Sequence, residues 1–550
     1  MNILLSPLLG ITKLVEDTLD TVRQVTEKIR TGDNPYLSDN FKPVTQQVSN
    51  LPLRTVFGQL PADLQGVYLR NGPNPVYNSK GLYHWFDGDG MIHAVRIRGS
   101  SSTATYSNHQ IQTRKLAYET TKGEADWLGV GDMKGPLGLL KMGLFQARML
   151  LGDTALHHIL SQPPDGVANT SVKYHAGKLL AISEMYYPTA LSIQEDTGTV
   201  ATVGTYFFND KLQHHWTAHP KTCPVTGEMM SFCYNIAPTK PTLNYTLVNP
   251  EGVLTSTIDI ELPHPIMMHD FSITTHYSIF LDLPLQFDPS NMAKRLDGGA
   301  FVYKNKKAAR FGVLPRHAAS SDEMVWFSVQ ACAIFHVINS YETRDSVSGD
   351  EKIIVQACRF TDIDLSNIDK TKEELKHYNE LWMYQLNVTT GQVEIEEPLV
   401  ARPRSAPDVT YIGGDFPAMN PAVVGRPHTY CYISRFSPEH NTKFDGIVKI
   451  NCATRAVVGT LVYGGLKRGG EVVFVAKDNG CREDDGYLVG YVHDENTNVS
   501  EFYVVDASTM CTVCICELPK RVPFGMHGTF LSEKELKAAS GNSWRERSRL

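Results

Sequence analysis

Residues 381–397, LWMYQLNVTTGQVEIEE, carry the pattern that decides the fold of this chain. Two short runs of aromatic, aliphatic and β-branched residues flank a turn of Thr and Gly, which is typical of a β-hairpin. The same design returns at residues 191–204 (LSIQEDTGTVATVG), 446–462 (GIVKINCATRAVVGTLV) and 502–518 (FYVVDASTMCTVCICEL). Irregularly spaced hairpins from about residue 165 onward favour an all-β β-propeller, in which each blade is a small sheet, with an array of β-sandwiches as the alternative.

Two segments depart from the hairpin pattern. Residues 1–33 predict an amphipathic helix, because apolar residues recur there at helical spacing: Leu4, Leu8, Ile11, Val15, Leu19, Val22 and Ile29. Such a helix either docks on the protein's own core or lies at a membrane surface. Residues 133–160 (MKGPLGLLKMGLFQARMLLGDTALHHIL) predict helices laid over the sheets, with apolar residues on more than one face. We therefore expect one propeller domain over residues 34–550, with a helical insertion around residues 133–160 that either buries its apolar face or leaves it open to an apolar ligand or to lipid.

The composition excludes some classes of function. Fifty-two basic and 59 acidic residues give a net charge of −7, so the chain lacks the positive field that nucleic-acid binding requires. Hydrophobic residues make up 42% and charged residues 20%, which is typical of a globular protein. The ten cysteines are scattered along the chain, which favours reduced thiols in a reducing compartment.

The two ends of the sequence give information on the cellular compartment of the protein. The first residues lack the basic segment of a secretory signal, so we expect an intracellular protein. The C-terminal Ser548-Arg549-Leu550 is a conservative variant of the peroxisomal address Ser-Lys-Leu. The sequence thus indicates a cytoplasmic or peroxisomal location and leaves a plastid open.

Four histidines stand in short apolar or aromatic contexts: His219 in HWTAHPK, His269 in MMHDFS, His336 in IFHVINSYE and His527 in FGMHGTF. They are too far apart along the chain for a local zinc finger. In a propeller, however, the inner strands of different blades all pass near the axis, so distant residues can converge there. Four neutral imidazoles could then hold a divalent metal, with carboxylates accepting hydrogen bonds from the far ring nitrogens. The spacing selects neither the carboxylates nor the metal.

Other catalytic motifs are absent from the sequence. There is no Walker sequence, no G-x-S-x-G elbow, no G-x-G-x-x-G fingerprint after a strand and no HExxH around His215 and His219. Phosphoryl transfer and hydride transfer are therefore disfavoured.

Several longer motifs resemble one known family. They are NPYLSDNFKPV (34–44), GVYLRNGPNP (66–75), HWFDGDGMIHAVRI (84–97), EDDGYLVGYVHDE (483–495) and the contexts of the four histidines. In their order and content they resemble the carotenoid cleavage oxygenases, particularly the plant and cyanobacterial members. The resemblance runs from about Asn34 to Glu535.

The resemblance implies a seven-bladed propeller with a helical cap over the iron-bearing face. It implies Fe(II) on His219, His269, His336 and His527. By the family's pairing, Glu184 would orient His269, Glu471 would orient His527 and Asp415 would orient His336, while His219 would have no carboxylate. Asp415 stands where the family has a longer Glu, so we expect a backbone adjustment or a bridging water there.

The implied reaction inserts dioxygen across a conjugated double bond of a carotenoid or apocarotenoid and gives two carbonyl products. No side chain would act as nucleophile or proton shuttle, and an apolar tunnel would select the bond. The helical insertion would lie near the tunnel mouth, in peripheral contact with a membrane. Three alternatives stay open: a retinoid-type isomerohydrolase or a stilbene-cleaving oxygenase of the same family, and a propeller that binds carotenoids without catalysis.

Overall fold

The computed structural model describes residues 2–31, 33–151, 166–236, 239–365, 379–400, 413–437 and 443–541, with the side chains of the first helix described over residues 7–29. The end of the predicted insertion, residues 152–160, lies outside the described residues. The C-terminal Ser548-Arg549-Leu550 also lies outside them.

Seven antiparallel sheets form the blades of a propeller, as the hairpin pattern and the resemblance predict. Blade 1 contains β1 (Leu51–Pro52), β3 (Gln65–Pro73), β4 (Gly90–Arg98), β5 (Thr103–Gln110) and β33 (Gly528–Ser532). Blade 2 contains β6 (Ser171–His175), β7 (Lys178–Ile182), β8 (Thr189–Ile193) and β9 (Val200–Thr205). Blade 3 contains β10 (Lys221–Thr222), β11 (Met229–Tyr234), β12 (Thr242–Val248) and β13 (Leu254–Glu261). Blade 4 contains β14 (Ser272–Ile273), β15 (Tyr277–Asp282), β18 (Ala309–Pro315) and β19 (Val325–Val329). Blade 5 contains β20 (Ala333–Arg344), β21 (Glu351–Phe360), β22 (Asn379–Asn387) and β23 (Gln392–Pro398).

Blades 6 and 7 complete the ring. Blade 6 contains β24 (Gly414–Ala418), β25 (Tyr430–Phe436), β26 (Phe444–Asn451) and β27 (Ala456–Val462). Blade 7 contains β2 (Arg54–Gly58), β28 (Lys467–Arg468), β29 (Val473–Ala476), β30 (Gly486–Asp494), β31 (Val499–Asp506) and β32 (Thr512–Glu517). A separate two-stranded sheet pairs β16 (Leu285–Phe287) with β17 (Phe301–Tyr303).

The four hairpins identified in the sequence are confirmed as β8–β9, β22–β23, β26–β27 and β31–β32. Each turn contains one residue in the left-handed backbone region: Gly198, Gly391, Arg455 and Met510. That conformation lets the chain reverse within a few residues and keep the twist of its strands. Glycine adopts it without strain in the first two turns.

Strands from the two ends of the chain close the ring. C-terminal β33 pairs with β3 in blade 1, while N-terminal β2 pairs with β32 in blade 7. The exchange leaves neither closing blade dependent on one end of the chain alone. It also covers sheet edges that would otherwise expose unpaired backbone groups.

The core is divided among the contacts between neighbouring blades. Phe311 of blade 4 and Tyr384 of blade 5, for example, stack edge to face at 4.8 Å between ring centres, and both are fully buried. Because each blade is covered on both faces, its central strands read as nearly continuous apolar runs.

Five helices are described: α1 (Asn2–Thr31), α2 (Arg114–Lys122), α3 (Gly135–Leu150), α4 (Ser290–Lys294) and α5 (Glu533–Ser540). The first lies within the segment predicted as an N-terminal helix and the third within the segment predicted as a helical insertion, whereas α2 was not predicted. No helix in the described part of the chain is both long and apolar enough to cross a membrane.

Helix α1 packs on α3 through charged side chains. Glu16, Asp20 and Arg23 are buried, and Arg148 and Lys141 of α3 reach Glu16 and Asp20 with N–O distances of 2.8 Å. Most of the predicted apolar stripe therefore faces outward: Leu8, Ile11, Val15, Val22 and Ile29 are exposed, as are Leu14 and Val25, whereas Leu19 is buried. The helix thus docks on the protein itself, as one of the two expectations has it, but through charged side chains and Leu19 and not through the whole apolar stripe.

Candidate metal centre

Each of the four singled-out histidines enters the propeller on a different innermost strand. His219 and His269 come just before β10 and β14, His336 lies in β20, and His527 immediately precedes β33. Innermost strands of several neighbouring blades contact one another: β33 with β6, β14 with β20, β20 with β24 and β29 with β33. The four side chains therefore meet at one end of the axis although 191 residues separate the last two along the chain.

The four imidazoles form a compact cluster. Each offers one ring nitrogen, and these nitrogens all lie within 4.8 Å of one another. Nε2 of His219 is 2.9 Å from Nε2 of His269, and the ring centres of His219 and His527 are 4.5 Å apart. His219, His336 and His527 are buried, while His269 is half-buried and borders a cavity.

Three carboxylates hold the far nitrogens of three rings. Nδ1 of His269 lies 2.5 Å from Glu184, Nδ1 of His336 lies 2.8 Å from Asp415, and Nδ1 of His527 lies 2.8 Å from Glu471. A carboxylate accepts a hydrogen bond, so each Nδ1 carries the proton and each Nε2 lone pair is free to face the centre of the cluster. This is the pairing implied by the resemblance. No carboxylate pairs with His219 among the described side-chain contacts.

Asp415 reaches His336 directly because the backbone bends beside it. The pairing of β24 with β25 shifts register between Asp415 and Ala418, and Phe416 has φ +52°. The carboxylate also accepts the backbone N–H of Phe416 at 2.9 Å. The shorter side chain thus reaches the imidazole directly, beside a local bend of the backbone.

Each of the seven blades contributes one residue to this centre. In blade order, the contributors are His527, Glu184, His219, His269, His336, Asp415 and Glu471. The ring of blades thus converts widely spaced sequence positions into one concentric arrangement of imidazoles and carboxylates.

Burial favours the neutral form of His219 and of His527, whereas His336 is shifted in the opposite direction. Burial and the neighbouring imidazoles hold the pKa of His219 well below its usual value. Burial lowers the pKa of His527 to about 4, although Glu471 acts in the opposite direction. Burial also opposes the charge of His336, but the attraction and hydrogen bond of Asp415 outweigh it and raise the pKa of that ring.

Glu471 is held in its charged form. Burial would raise its pKa, but the charge and hydrogen bond of His527 and the backbone N–H of Gly528 together lower it. The Gly528 N–H donates to Oε2 at 2.6 Å while His527 occupies Oε1. The carboxylate is therefore fixed by two donors at once.

The donor set fits a divalent metal. Nε2 of His336 is buried without a hydrogen-bond partner among the described residues, and two ring nitrogens only 2.9 Å apart require a shared proton or a shared cation. Neutral imidazoles suit iron, zinc, copper and nickel, and the nearby carboxylates would balance the charge of the ion.

Sequence reasoning missed two residues that support the cluster. Asp270 is 1% exposed, accepts the backbone N–H of Val337 at 2.9 Å, and lies 2.7 Å from the ammonium of Lys221. It thereby links the segment of His269 to that of His336. An acidic residue directly after a histidine in the apolar stretch MMHDFS was the available signal. Tyr234 donates its hydroxyl to Glu184, and nothing in its local sequence marks it.

A cavity of about 320 Å³ leads to the cluster. His269, Glu184 and Met526 line its inner part, and mostly apolar side chains form much of the rest: Trp127, Leu128, Met133, Ile236, Met267 and Phe301. Several of these belong to the segment between α2 and α3, so the helical region covers the face that bears the histidines. Such a wall suits a long apolar ligand.

A second cavity of about 310 Å³ adjoins the first. The two share Leu82, Tyr83, His84 and Leu365 as parts of their walls. The second cavity is bordered by Glu27 and Lys28 of α1, and a larger share of its wall surface is polar. Helix α1 therefore borders the cavity that adjoins the one lined by His269.

Comparisons with known proteins agree with this arrangement. Residues 41–532 match the family described as retinal pigment epithelial membrane protein. The chain is 38% identical to carotenoid 9,10(9',10')-cleavage dioxygenase 1 of Arabidopsis thaliana, with 91% of this chain and 90% of the relative covered. It is 34% identical to a chloroplastic 9-cis-epoxycarotenoid dioxygenase of the same plant, with 91% and 82% covered.

Solved structures share the fold. The lignostilbene dioxygenase of Pseudomonas brassicacearum superimposes with a TM-score of 0.74 at 22% identity, covering 91% of this chain and 99% of that one. Cobalt-substituted apocarotenoid oxygenase of Synechocystis superimposes with a TM-score of 0.72 at 23% identity, covering 89% and 97%. At these identities the likeness establishes the propeller and no more.

Proposed function

Since the chain belongs to the retinal pigment epithelial membrane protein family, which comprises the carotenoid cleavage oxygenases, we propose that it is a non-haem iron(II) dioxygenase. Its substrate is a carotenoid or apocarotenoid, cleaved at a conjugated double bond to give two carbonyl products. Relatives named as carotenoid cleavage dioxygenases cover nearly the whole chain and support the oxygenase activity.

The observation that carries the proposal is the convergence of His219, His269, His336 and His527 at the end of an apolar cavity. Four imidazole nitrogens, three of them on rings held by carboxylates, form a site for a redox-active divalent metal, and the cavity next to it has room for a polyene. When bound, iron would supply the binding and activation of dioxygen.

The chain's own residues have positioning roles. Glu184, Asp415 and Glu471 fix three imidazoles through Nδ1, so that the Nε2 lone pairs point inward, and they supply negative charge around the cation. Phe335 and Phe416 pack against the rings, at 5.2 Å from the centre of His269 and 5.3 Å from the centre of His336. No described group needs to transfer a proton to the polyene.

The cavity wall determines which double bond is cleaved. Side chains such as Trp127, Met133 and Phe301 bury the polyene and exclude water, and the depth to which the substrate enters sets the bond that lies beside the metal. We therefore expect cleavage at one preferred position.

We propose further that the outer face of α1 and α3 associates with a lipid surface. Charged side chains hold α1 on the protein, so its apolar stripe is not needed for docking, and apolar residues of both helices are exposed: Leu8, Ile11, Leu14, Leu139, Leu140 and Leu150. Because α1 borders the outer cavity, this face would deliver an apolar substrate from lipid. Replacing Ile11 and Leu14 with Ser should reduce cosedimentation with liposomes, whereas unchanged cosedimentation would contradict the proposal.

Product analysis tests the enzymatic proposal. Protein loaded with iron(II) under dioxygen should convert a carotenoid or apocarotenoid into two aldehyde or ketone fragments that mass spectrometry identifies together. Isomerised retinol without oxygen uptake would instead indicate the isomerohydrolase, and cleavage of only a phenolic stilbene would indicate a stilbene oxygenase. Tight carotenoid binding without products or stoichiometric iron would indicate a binding protein.

A histidine variant provides the internal control. His336→Ala removes one donor whose Nε2 has no other partner among the described residues, and it should abolish both iron retention and product formation. His276 is an exposed histidine paired with Glu342 on the surface, so His276→Ala should change neither.

A further inference from the structure

Cys358 lies across from the part of β20 that carries His336. The pairing of β20 with β21 shifts register between Ile334 and Val337, so residues 335 and 336 stand opposite Cys358 alone. This is a β-bulge, in which two residues of one strand face a single residue of the next, and a bulge changes the direction in which a side chain points. The bulge therefore brings the segment of a cluster histidine and a cysteine thiol to the same place in blade 5.

The thiol of Cys358 reaches across to blade 6, where it forms a hydrogen bond with the carboxylate of Asp415. A carboxylate only accepts hydrogen bonds, so the sulfur must carry the proton and donate it. Burial, together with the charge and the hydrogen bond of Asp415, raises the pKa of the thiol well above its usual value and keeps it in this form. Two neighbouring strands of blade 5 thus hold one carboxylate, β20 through His336 and β21 through Cys358.

The surroundings of Cys358 are otherwise apolar. Its side chain is fully buried and packs in one cluster with Ile338, Leu381 and Ile433. A buried cysteine usually behaves as a small hydrophobic group. Here a charged acceptor lies within reach of the thiol, and a hydrogen bond to a charged group is stronger in a buried setting than in water.

The carboxylate of Asp415 is held from one side by a bent backbone. Its Oδ1 accepts both the Nδ1–H of His336 at 2.8 Å and the backbone N–H of Phe416 at 2.9 Å. Phe416 has φ +52°, a left-handed conformation that is unfavourable for residues other than glycine. A third donor, from a different strand, further restrains the position of this carboxylate.

We propose that Cys358 is a positioning residue of the metal centre, whose S–H holds the Asp415 carboxylate in the place from which it orients His336. The inference rests on the proposed function and deepens it, since it adds a residue behind one of the three carboxylates. Asp415 keeps the ring proton of His336 on Nδ1 and directs Nε2 toward the other histidines. Without the thiol the carboxylate is less restrained, so the metal binds less tightly although Cys358 is not a ligand.

Titration of the metal-free protein with cobalt(II) against a competing chelator tests the inference without substrate or dioxygen. Cys358→Ala removes the donor and should weaken binding about three- to tenfold, less than the loss expected for a group bonded directly to a ligand. Cys358→Ser keeps a donor and should recover most of the wild-type affinity. Cys358→Val keeps the apolar bulk without a donor and should bind as weakly as the alanine variant.

The ranking of these variants separates positioning from packing. If Cys358 only filled space, valine would replace it better than serine would, and that order of cobalt(II) affinities would overturn the inference. Wild-type affinity in Cys358→Ala would overturn it as well. Cys332→Ala is the matched control, because Cys332 is also fully buried but its sulfur lies 3.9 Å from the hydroxyl of Tyr384, and this variant should bind cobalt(II) as the wild type does.

A double mutant locates the effect at Asp415. Asp415→Asn removes the charged acceptor, so adding Cys358→Ala to it should cost much less cobalt(II) affinity than Cys358→Ala costs in the wild type. An equal loss in both backgrounds would show that Cys358 does not act through the carboxylate.

Infrared spectroscopy decides the question even if the alanine variant does not fold. The S–H stretching band of Cys358 is identified by its absence in Cys358→Ser, and it should move to higher frequency in Asp415→Asn, because a charged acceptor weakens the S–H bond. An unmoved band would overturn the inference. A wild type that binds no cobalt(II) would overturn the metal centre and this inference together, whereas normal wild-type binding with no effect of Cys358→Ala would overturn this inference alone.

Discussion

Replacement of Glu471 by Gln should weaken metal binding although the side chain keeps its shape. Glu471 accepts two hydrogen bonds, from His527 Nδ1 at 2.8 Å and from the backbone N–H of Gly528 at 2.6 Å. A glutamine amide has only one oxygen. Since the Gly528 N–H can only donate, the amide oxygen must turn toward it, and the amide nitrogen then faces His527.

This orientation forces a change in the imidazole. The amide N–H donates to His527 Nδ1, so the ring proton moves to Nε2, the nitrogen that faces the other histidines. The alternative orientation keeps the ring unchanged but sets two donors, the amide and the Gly528 N–H, against each other. Either arrangement removes a charge-assisted hydrogen bond, and we expect a loss of about 1.4 to 2.8 kcal/mol in metal binding, or about ten- to a hundredfold in affinity.

Titration of metal-free protein with cobalt(II), followed by its visible absorption against a competing chelator, measures this loss. Glu483→Gln is the matched control, because Glu483 also accepts backbone N–H groups, from residues 429 and 430, but has no contact with the four histidines. We expect the control to bind cobalt(II) as the wild type does. Wild-type affinity in Glu471→Gln would refute the role assigned to the carboxylate.

Three further predictions concern other parts of the molecule. Asp270→Asn disrupts the buried ion pair with Lys221 and the hydrogen bond from the Val337 N–H. It should therefore lower the free energy of unfolding, measured in urea, by about 3 kcal/mol and weaken cobalt(II) binding. An effect on stability alone would leave Asp270 without a role at the metal centre. In the folded protein the pKa of His84 is about 4, below its ordinary value of 6.5, so the unfolded chain takes up a proton first as the pH falls. The free energy of unfolding should therefore decrease between about pH 6.5 and pH 4, by up to about 3 kcal/mol. In His84→Asn it should decrease less, and identical pH profiles of stability in the two proteins would contradict this. Arg148→Ala leaves the buried carboxylate of Glu16 unpaired, so it should release α1 to limited proteolysis, and an unchanged cleavage rate would show that other contacts hold the helix.

The sequence alone determined the elements and the chemistry of the donors. Hairpins such as 381–397 could be recognised because strand pattern and turn residues act over a few positions, and the turns contain left-handed residues such as Gly391. The contexts of the four histidines likewise carried the family resemblance, and with it the pairing of Glu184, Asp415 and Glu471. The amphipathic helix at the N-terminus was also visible as a period of apolar residues.

Only the tertiary structure decided how these parts meet. The apolar stripe of α1 could not reveal that the helix docks by its charged face, because that depends on Arg148 and Lys141 more than 120 residues away in the chain. Nor could local sequence show that Asp270 joins two histidine segments or that His84 borders two cavities. Propensity and periodicity act between neighbours in the chain, whereas ion pairing, cavity walls and ring tautomers are set by contacts that closure of the seven blades creates.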